Sequence, residues 1–117
     1  MNQVIQSTLK GSAIKSGSAI IALALKNMGV KRVFLFPGGT IAPLLDELVK
    51  IEIEYICLRH EQGAGFAAIG AAKETNFPQV VIVSSGPGVT NLVTCIADAF
   101  YDSVPILALT GQVQTDD

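Results

Sequence analysis

Residues 80–91 read VVIVSSGPGVTN. Val80 to Val83 is an unbroken apolar run, cut off by Ser84-Ser85-Gly86-Pro87-Gly88, and a helical stretch follows from about Val89 to Tyr101. An unbroken run suits a strand covered on both faces of a parallel sheet, whereas alternation would mark a sheet with one wet face. The same unit recurs on either side. Arg32 to Phe36 (RVFLF) ends at Pro37-Gly38-Gly39, where Thr40 is placed to cap a helix to about Lys50 with Ile41, Leu44, Leu45 and Leu48 on one side. Glu54 to Leu58 (EYICL) leads through Arg59-His60 into a helix from Glu61 to about Lys73, rich in Ala and Gly as close packing on a sheet requires. Ile106 to Leu109 (ILAL) ends at Thr110-Gly111. Upstream, Ser16 or Ser18 can cap a helix to about Met28, with Gly29 as its left-handed stop. Strand then helix, repeated with short loops, predicts right-handed βαβ units and an α/β fold, three-layer α/β/α around a parallel sheet of about four strands.

Residues 1–15 are polar without a period and are expected to be poorly ordered or loosely docked, leaving 16–117 as the domain. With 117 residues, 50% of them apolar and 15% charged, the chain has material for one core and no more. A net charge of −2 without a basic block argues against nucleic acid. No apolar stretch nears the roughly 18 residues of a membrane span. Lys10 and Lys15 before the run Ala19–Leu25, with Ala22-Leu23-Ala24, have some look of a secretory signal, but a capped helix followed at once by a strand accounts for them better. Cys57 and Cys95 match no metal spacing and sit in apolar segments, so both are expected as reduced core residues of a cytoplasmic protein.

In an open parallel sheet, ligands collect beyond the carboxyl ends of the strands. Four loops rich in glycine or charge fall there: 37–39, 59–63, 84–91 and 110–112. GPGVTN lacks the lysine of a Walker loop and no GxGxxG follows the first strand, so phosphate binding is poorly supported. His60 is the only histidine, which excludes a cluster of His ligands; a hydrolase using Ser84 or Ser85 lacks a GxSxG elbow and an acid to orient His60. Glu61 directly follows a buried strand and opens a helix, where an acid in the first turn gains about 0.3–1 kcal/mol from the helix dipole even with no chemistry to do.

The strings RHEQGAGFAAIGAA (59–72) and VIVSSGPGVTNLVTCIADAFYDSVPILALTGQV (81–113), preceded by GVKRVFLFPGGTIAPLLDEL (29–48), resemble the N-terminal pyrimidine-binding domain of thiamine diphosphate-dependent enzymes. Within that family the pattern is most similar to the large subunits of acetolactate (acetohydroxyacid) synthases; glyoxylate carboligases, pyruvate oxidases, sulfoacetaldehyde acetyltransferases and acetolactate synthase-like enzymes of sugar pathways share much of it. The resemblance implies that Glu61 hydrogen-bonds N1′ of the aminopyrimidine and is the catalytic residue of this domain, in an enzyme that decarboxylates a 2-keto acid and passes the two-carbon unit to a second one. It also implies cofactor contacts for Gly38, Gly39, Pro87, Thr90 and Asn91, a place on the substrate side for Gln112, and a structural role for Asp102-Ser103-Val104-Pro105. Plain turn-making explains Gly38, Gly39 and Pro87 equally well.

Further expectations follow from the same resemblance. The cofactor is thiamine diphosphate with Mg, held between this domain and a diphosphate-binding domain of a second subunit, so the partner is a second copy in a homo-oligomer. FAD is possible in the full-length enzyme. The family's domain has six strands, and the GDG…N magnesium motif belongs to the separate diphosphate-binding domain, so the chain is expected to be a fragment, inactive alone, with a sheet edge that pairs or aggregates. Ile69-Gly70-Ala71 stand where an acidic and an aromatic residue are usual, and Thr40 where a small apolar residue is usual. Those departures leave a second reading, a binding or assembly module that has lost the chemistry. A flavodoxin-like nucleotide module has only fold analogy behind it.

Overall fold

A computed structural model describes residues 16–116; the expectation for residues 1–15 lies outside them. The first helix, α1 (Gly17–Asn27), starts at Ser16, whose hydroxyl accepts the Ala19 N–H at 3.2 Å, and it buries Ala22 and Leu25. It stops at Gly29, at φ +85°, with Val30 N–H returning to Leu25 O, a left-handed stop of the kind glycine permits. Then come β1 (Arg32–Leu35), a single 3₁₀ turn (Gly39–Ile41), α2 (Ala42–Lys50), β2 (Glu54–Cys57), α3 (Glu61–Thr75), β3 (Gln79–Val83), α4 (Pro87–Tyr101) and β4 (Ile106–Thr110). Each strand and helix falls within two residues of its expected bounds. α3 runs on to Thr75 because Asn76 takes the left-handed cap at φ 51°. α4 begins at Pro87, ahead of Val89, because proline at the first helical position gives up no needed hydrogen bond.

The four strands are all parallel in the order β2-β1-β3-β4, with Phe34 beside both Ile56 and Val81. Their alternate side chains build two cores, one on each face. Val33, Leu35, Val80 and Ile82 pack beneath α1 and α2, with Leu25, Leu44 and Leu48; Phe34, Val81 and Val83 pack beneath α3 and α4, with Ala64, Ala68, Leu92 and Cys95. The result is the expected three-layer α/β/α arrangement. Leu35, Leu48, Ile82 and Leu92 are almost fully enclosed, and truncating any of them to alanine costs about 2–5 kcal/mol.

Two expectations need correction. Cys57 is exposed, and only Cys95 is buried. Cys57 ends β2, an edge strand whose residues are mostly exposed, so an apolar neighbourhood in sequence does not become a core position. Thr40 does not cap α2: the cap residue there is Ile41, with no side-chain bond, and the Thr40 hydroxyl is engaged across the sheet.

β1 lies between β2 and β3, reached through α2 on one face and α3 on the other. The winding therefore reverses between β1 and β3. That switch leaves a crevice outside their carboxyl ends, the place where open α/β sheets bind ligands.

Candidate functional site

The loops after β1 and β3 meet across that crevice. Gly38 adopts extended backbone and lies against Ser84 so closely that an added Cβ would overlap the Ser84 side chain, its Oγ lying 2.6 Å away. Glycine is needed there for approach, not for a special φ. Nothing lies within 4 Å of the place a Cβ would occupy on Gly39, so its open side is available to something outside the described residues. Thr40 Oγ1 is 2.8 Å from Ser84 Oγ and accepts the Ser85 N–H at 3.1 Å, tying the β1 loop to the β3 loop. Gly111, after β4, donates its N–H to Val83 O at 3.0 Å, and any side chain on it would run into Thr40. Sequence reasoning missed this junction of Thr40, Ser84, Ser85 and Gly111; its one visible signal was a hydroxyl where the resemblance leads one to expect a small apolar residue.

Glu61 stands beside the same strip. His60 is the N-cap of α3, its Nδ1 accepting the Gln62 N–H at 3.1 Å, and Glu61 follows it in the first turn. Glu61 is the one buried charged side chain among the described residues, 8% exposed. Its Oε2 accepts the Asn91 side-chain amide at 3.1 Å. Its Oε1 accepts no hydrogen bond among the described residues, yet no side-chain nitrogen or oxygen there is both sealed and unpartnered, so Oε1 opens outward. A Cβ on Gly88 would come 3.6 Å from Oε1 and 3.5 Å from Ser84 Cβ. Gly88 is itself buried, and its packing beside the carboxyl and Ser84 links Glu61 to the β1–β3 junction in one continuous strip.

The helices that hold Glu61 and Asn91 are fixed together just behind them. A Cβ on Gly65 would lie 2.6 Å from Cys95 Cβ and 2.8 Å from Leu92 Cδ1, so α3 and α4 touch where glycine leaves room. The Cys95 thiol donates to Gln62 O at 3.3 Å, and burial pushes its pKa up from the ordinary 9.0.

The remaining expected site residues are placed less tightly. Pro87 is exposed at the first position of α4, and Thr90 is exposed with its hydroxyl donating to Pro87 O at 3.2 Å, so both have local helix-start roles. Gln112 is exposed beyond β4, and no hydrogen bond joins it to the strip. Ser84 and Ser85 have Thr40 as partner, and no hydrogen bond connects either with His60.

Other concavities lie elsewhere. One of about 510 Å³ sits at the amino edge of the sheet, lined by residues including Arg32, Phe34, Glu54 and Phe77, and one of about 420 Å³ lies between α2 and β2 beside Cys57. Neither includes Glu61. The chemically equipped surface is therefore an open strip, able to present a water-poor carboxyl oxygen to a flat, hydrogen-bonding ring laid upon it. That donor set fits an aminopyrimidine: a buried acid for a ring nitrogen, with an exposed glycine at Gly39 where a ring can approach backbone.

Comparison with known proteins bears on the same residues. Residues 15–117 match the family model described as thiamine pyrophosphate enzyme, N-terminal TPP binding domain. The chain is 49% identical over 98 residues to the acetolactate synthase isozyme 2 large subunit of Escherichia coli (strain K12), covering 84% of this chain and 18% of that protein. It is 52% identical over 99 residues to the acetolactate synthase large subunit of Lactococcus lactis subsp. lactis (strain IL1403), covering 84% and 17%. It is 49% identical over 100 residues to acetolactate synthase 2, chloroplastic, of Nicotiana tabacum, covering 85% and 15%. The chain thus spans less than a fifth of the length of these relatives.

Proposed function

Because this chain belongs to the thiamine pyrophosphate enzymes, as their N-terminal TPP binding domain, we propose that it forms the pyrimidine-facing half of an acetolactate synthase catalytic centre. Thiamine diphosphate, when bound, supplies the electron sink that lets a 2-keto acid such as pyruvate lose carbon dioxide and pass its two-carbon unit to a second 2-keto acid. Glu61 Oε1 hydrogen-bonds the aminopyrimidine ring nitrogen and moves a proton at that atom. Burial keeps water from competing for the bond, and Asn91 occupies the other oxygen. Gly39 gives the ring access to backbone and Gly38 lets the β1 loop lie down on Ser84; the resemblance puts Gln112 on the substrate side.

The Mg that accompanies the diphosphate does not fit these residues: no group of three His, Cys, Asp or Glu that could hold a metal ion occurs among the described residues. We assign both, and FAD where it is used, to the length that the relatives have beyond this match, in a second subunit of a homo-oligomer. That assignment agrees with Glu61 lying on an open strip and not in a closed pocket. Among the described residues no helix is long and apolar enough to cross a membrane, and both cysteines are free thiols; a reducing, cytoplasmic setting suits them.

The observation that carries this reading is the Glu61 carboxyl, buried at the carboxyl edge with one oxygen held and the other open. The test is pyruvate-dependent acetolactate formation by the full-length protein, wild type against Glu61→Gln. We expect a fall of about 10²–10⁴-fold with the circular dichroism spectrum unchanged. Equal rates overturn the reading.

A further inference from the structure

We propose that Asn91 is a positioning residue for Glu61, brought within reach by the contact of α3 with α4 at Gly65, and that it acts by fixing one carboxyl oxygen so that the other faces the ring. This rests on the role of Glu61 stated above and adds to it a second residue and a piece of helix packing.

The geometry comes in two rungs. Glu61 and Gly65 are four residues apart on α3, and Asn91 and Cys95 are four apart on α4, so each pair lies on one face of its helix. Both helices cover the same face of a parallel sheet and so run in the same direction. The lower rung joins Gly65 to Cys95; the upper joins Glu61 to Asn91 at 3.1 Å. A side chain at residue 65 would force α4 outward, and Asn91 would lose its reach to the carboxyl. The Cys95 Sγ bond to Gln62 O steadies the first turn of α3 between the rungs.

Chemistry selects asparagine for the upper rung. Its amide donates to Oε2 without adding charge, so Oε1 stays free to exchange a proton with a ring nitrogen. A lysine there would form an ion pair with the carboxylate, and an aspartate would repel it. A carboxyl on a side chain with three rotatable bonds spends most of its time misdirected unless something holds it, and misplacement by about 1 Å can cost on the order of 10²-fold in rate. In this view Asn91 touches Glu61 and not the cofactor.

The test uses the full-length protein with Asn91→Ala, Asn91→Asp, Glu61→Ala and the double variant Glu61→Ala/Asn91→Ala. Asn91→Asp keeps the shape but puts a repelling carboxyl in place of the donor, whereas Asn91→Ala removes the donor without adding charge; what the two share is the lost hydrogen bond, separated from packing and from charge. Both single variants at residue 91 should lower kcat about 10- to 100-fold with the KM for pyruvate little changed, as loss of a hydrogen bond to a charged group implies. In the Glu61→Ala background the same change should add less than about 2-fold, because a residue that acts through Glu61 has nothing left to position. The second readout needs no cofactor. Crystal structures of the cofactor-free variants should show an unmoved α4 and a displaced or multiply placed Glu61 carboxyl. Full activity in Asn91→Asp, or an undisturbed Glu61 carboxyl in both cofactor-free variants, overturns the proposal even if Glu61→Ala is inactive. Full activity in Glu61→Ala instead removes the reading beneath it.

Discussion

Gly65→Ala isolates the helix contact on which the site depends. The new Cβ would lie 2.6 Å from Cys95 Cβ, 2.7 Å from Cys95 Sγ and 2.8 Å from Leu92 Cδ1. Carbon atoms rest about 3.5–4.0 Å apart, so a gap of roughly 1 Å must open between α3 and α4. Leu92 Cδ1 is a branch tip that can swing away, but Cys95 Cβ is fixed to its helix. Overpacking of this kind costs about 1–3 kcal/mol. Replacing glycine by alanine inside a helix returns up to about 1 kcal/mol. Subtracting about 1 kcal/mol from the overpacking range leaves a net loss of about 0–2 kcal/mol. Gly70, on the same helix with nothing within 4 Å of its Cβ position, supplies the control. Gly70→Ala should stabilise by about 0.5–1 kcal/mol, the propensity gain alone. Urea denaturation at unchanged m-value reads both. Adding Cys95→Gly to Gly65→Ala should recover part of the loss, whereas Cys95→Gly alone should destabilise. If Gly65→Ala stabilises as much as Gly70→Ala, the two helices do not touch as described and the packing argument fails.

Four more expectations concern the rest of the molecule. A thiol reagent should modify Cys57 at once in the native protein and Cys95 only at the rate of unfolding; two fast thiols would contradict the burial of Cys95. Burial raises the Cys95 thiol, so folding favours its protonated form; that contribution is whole below the ordinary 9.0 and is lost as pH rises past it through the raised value, a decline that Cys95→Ala should lack. Thr40→Val keeps the side chain's shape but removes the acceptor of the Ser85 N–H and the partner of Ser84 Oγ, and should cost about 0.5–1.5 kcal/mol by denaturation, with Thr40→Ser close to wild type. Among the described residues β4 pairs only with β3, leaving its other edge free there along a run of apolar residues, so this chain expressed by itself should self-associate in sedimentation; a monomer at every concentration would count against that edge being sticky.

What the residues told in advance, and what they did not, divides by range. The unbroken runs VVIV and ILAL, the serine at 16 and the glycine at 29 act on their nearest neighbours, and each formed the element its local chemistry favours. Glu61 was visible for the same reason, an acid placed directly after an apolar strand. Position within the sheet is not local. EYICL looks as apolar as its neighbours, but β2 became an edge, so Cys57 faces water. Thr40 has the chemistry of a cap and was read as one; its actual partners are 44 and 45 residues away, where no pattern in sequence points. Asn91, by contrast, is marked only through resemblance, and its bond to Glu61, across 30 residues, emerges only from two helices packed at a glycine.

The central claim concerns the open oxygen of Glu61, and a crystal structure of the full-length protein with thiamine diphosphate bound tests it most directly. The account predicts Glu61 Oε1 within about 2.6–3.2 Å of the aminopyrimidine N1′ nitrogen, with Asn91 still on Oε2. A pyrimidine ring seated away from the Glu61–Gly88 strip, or a Glu61 carboxyl turned from the ring, would contradict it.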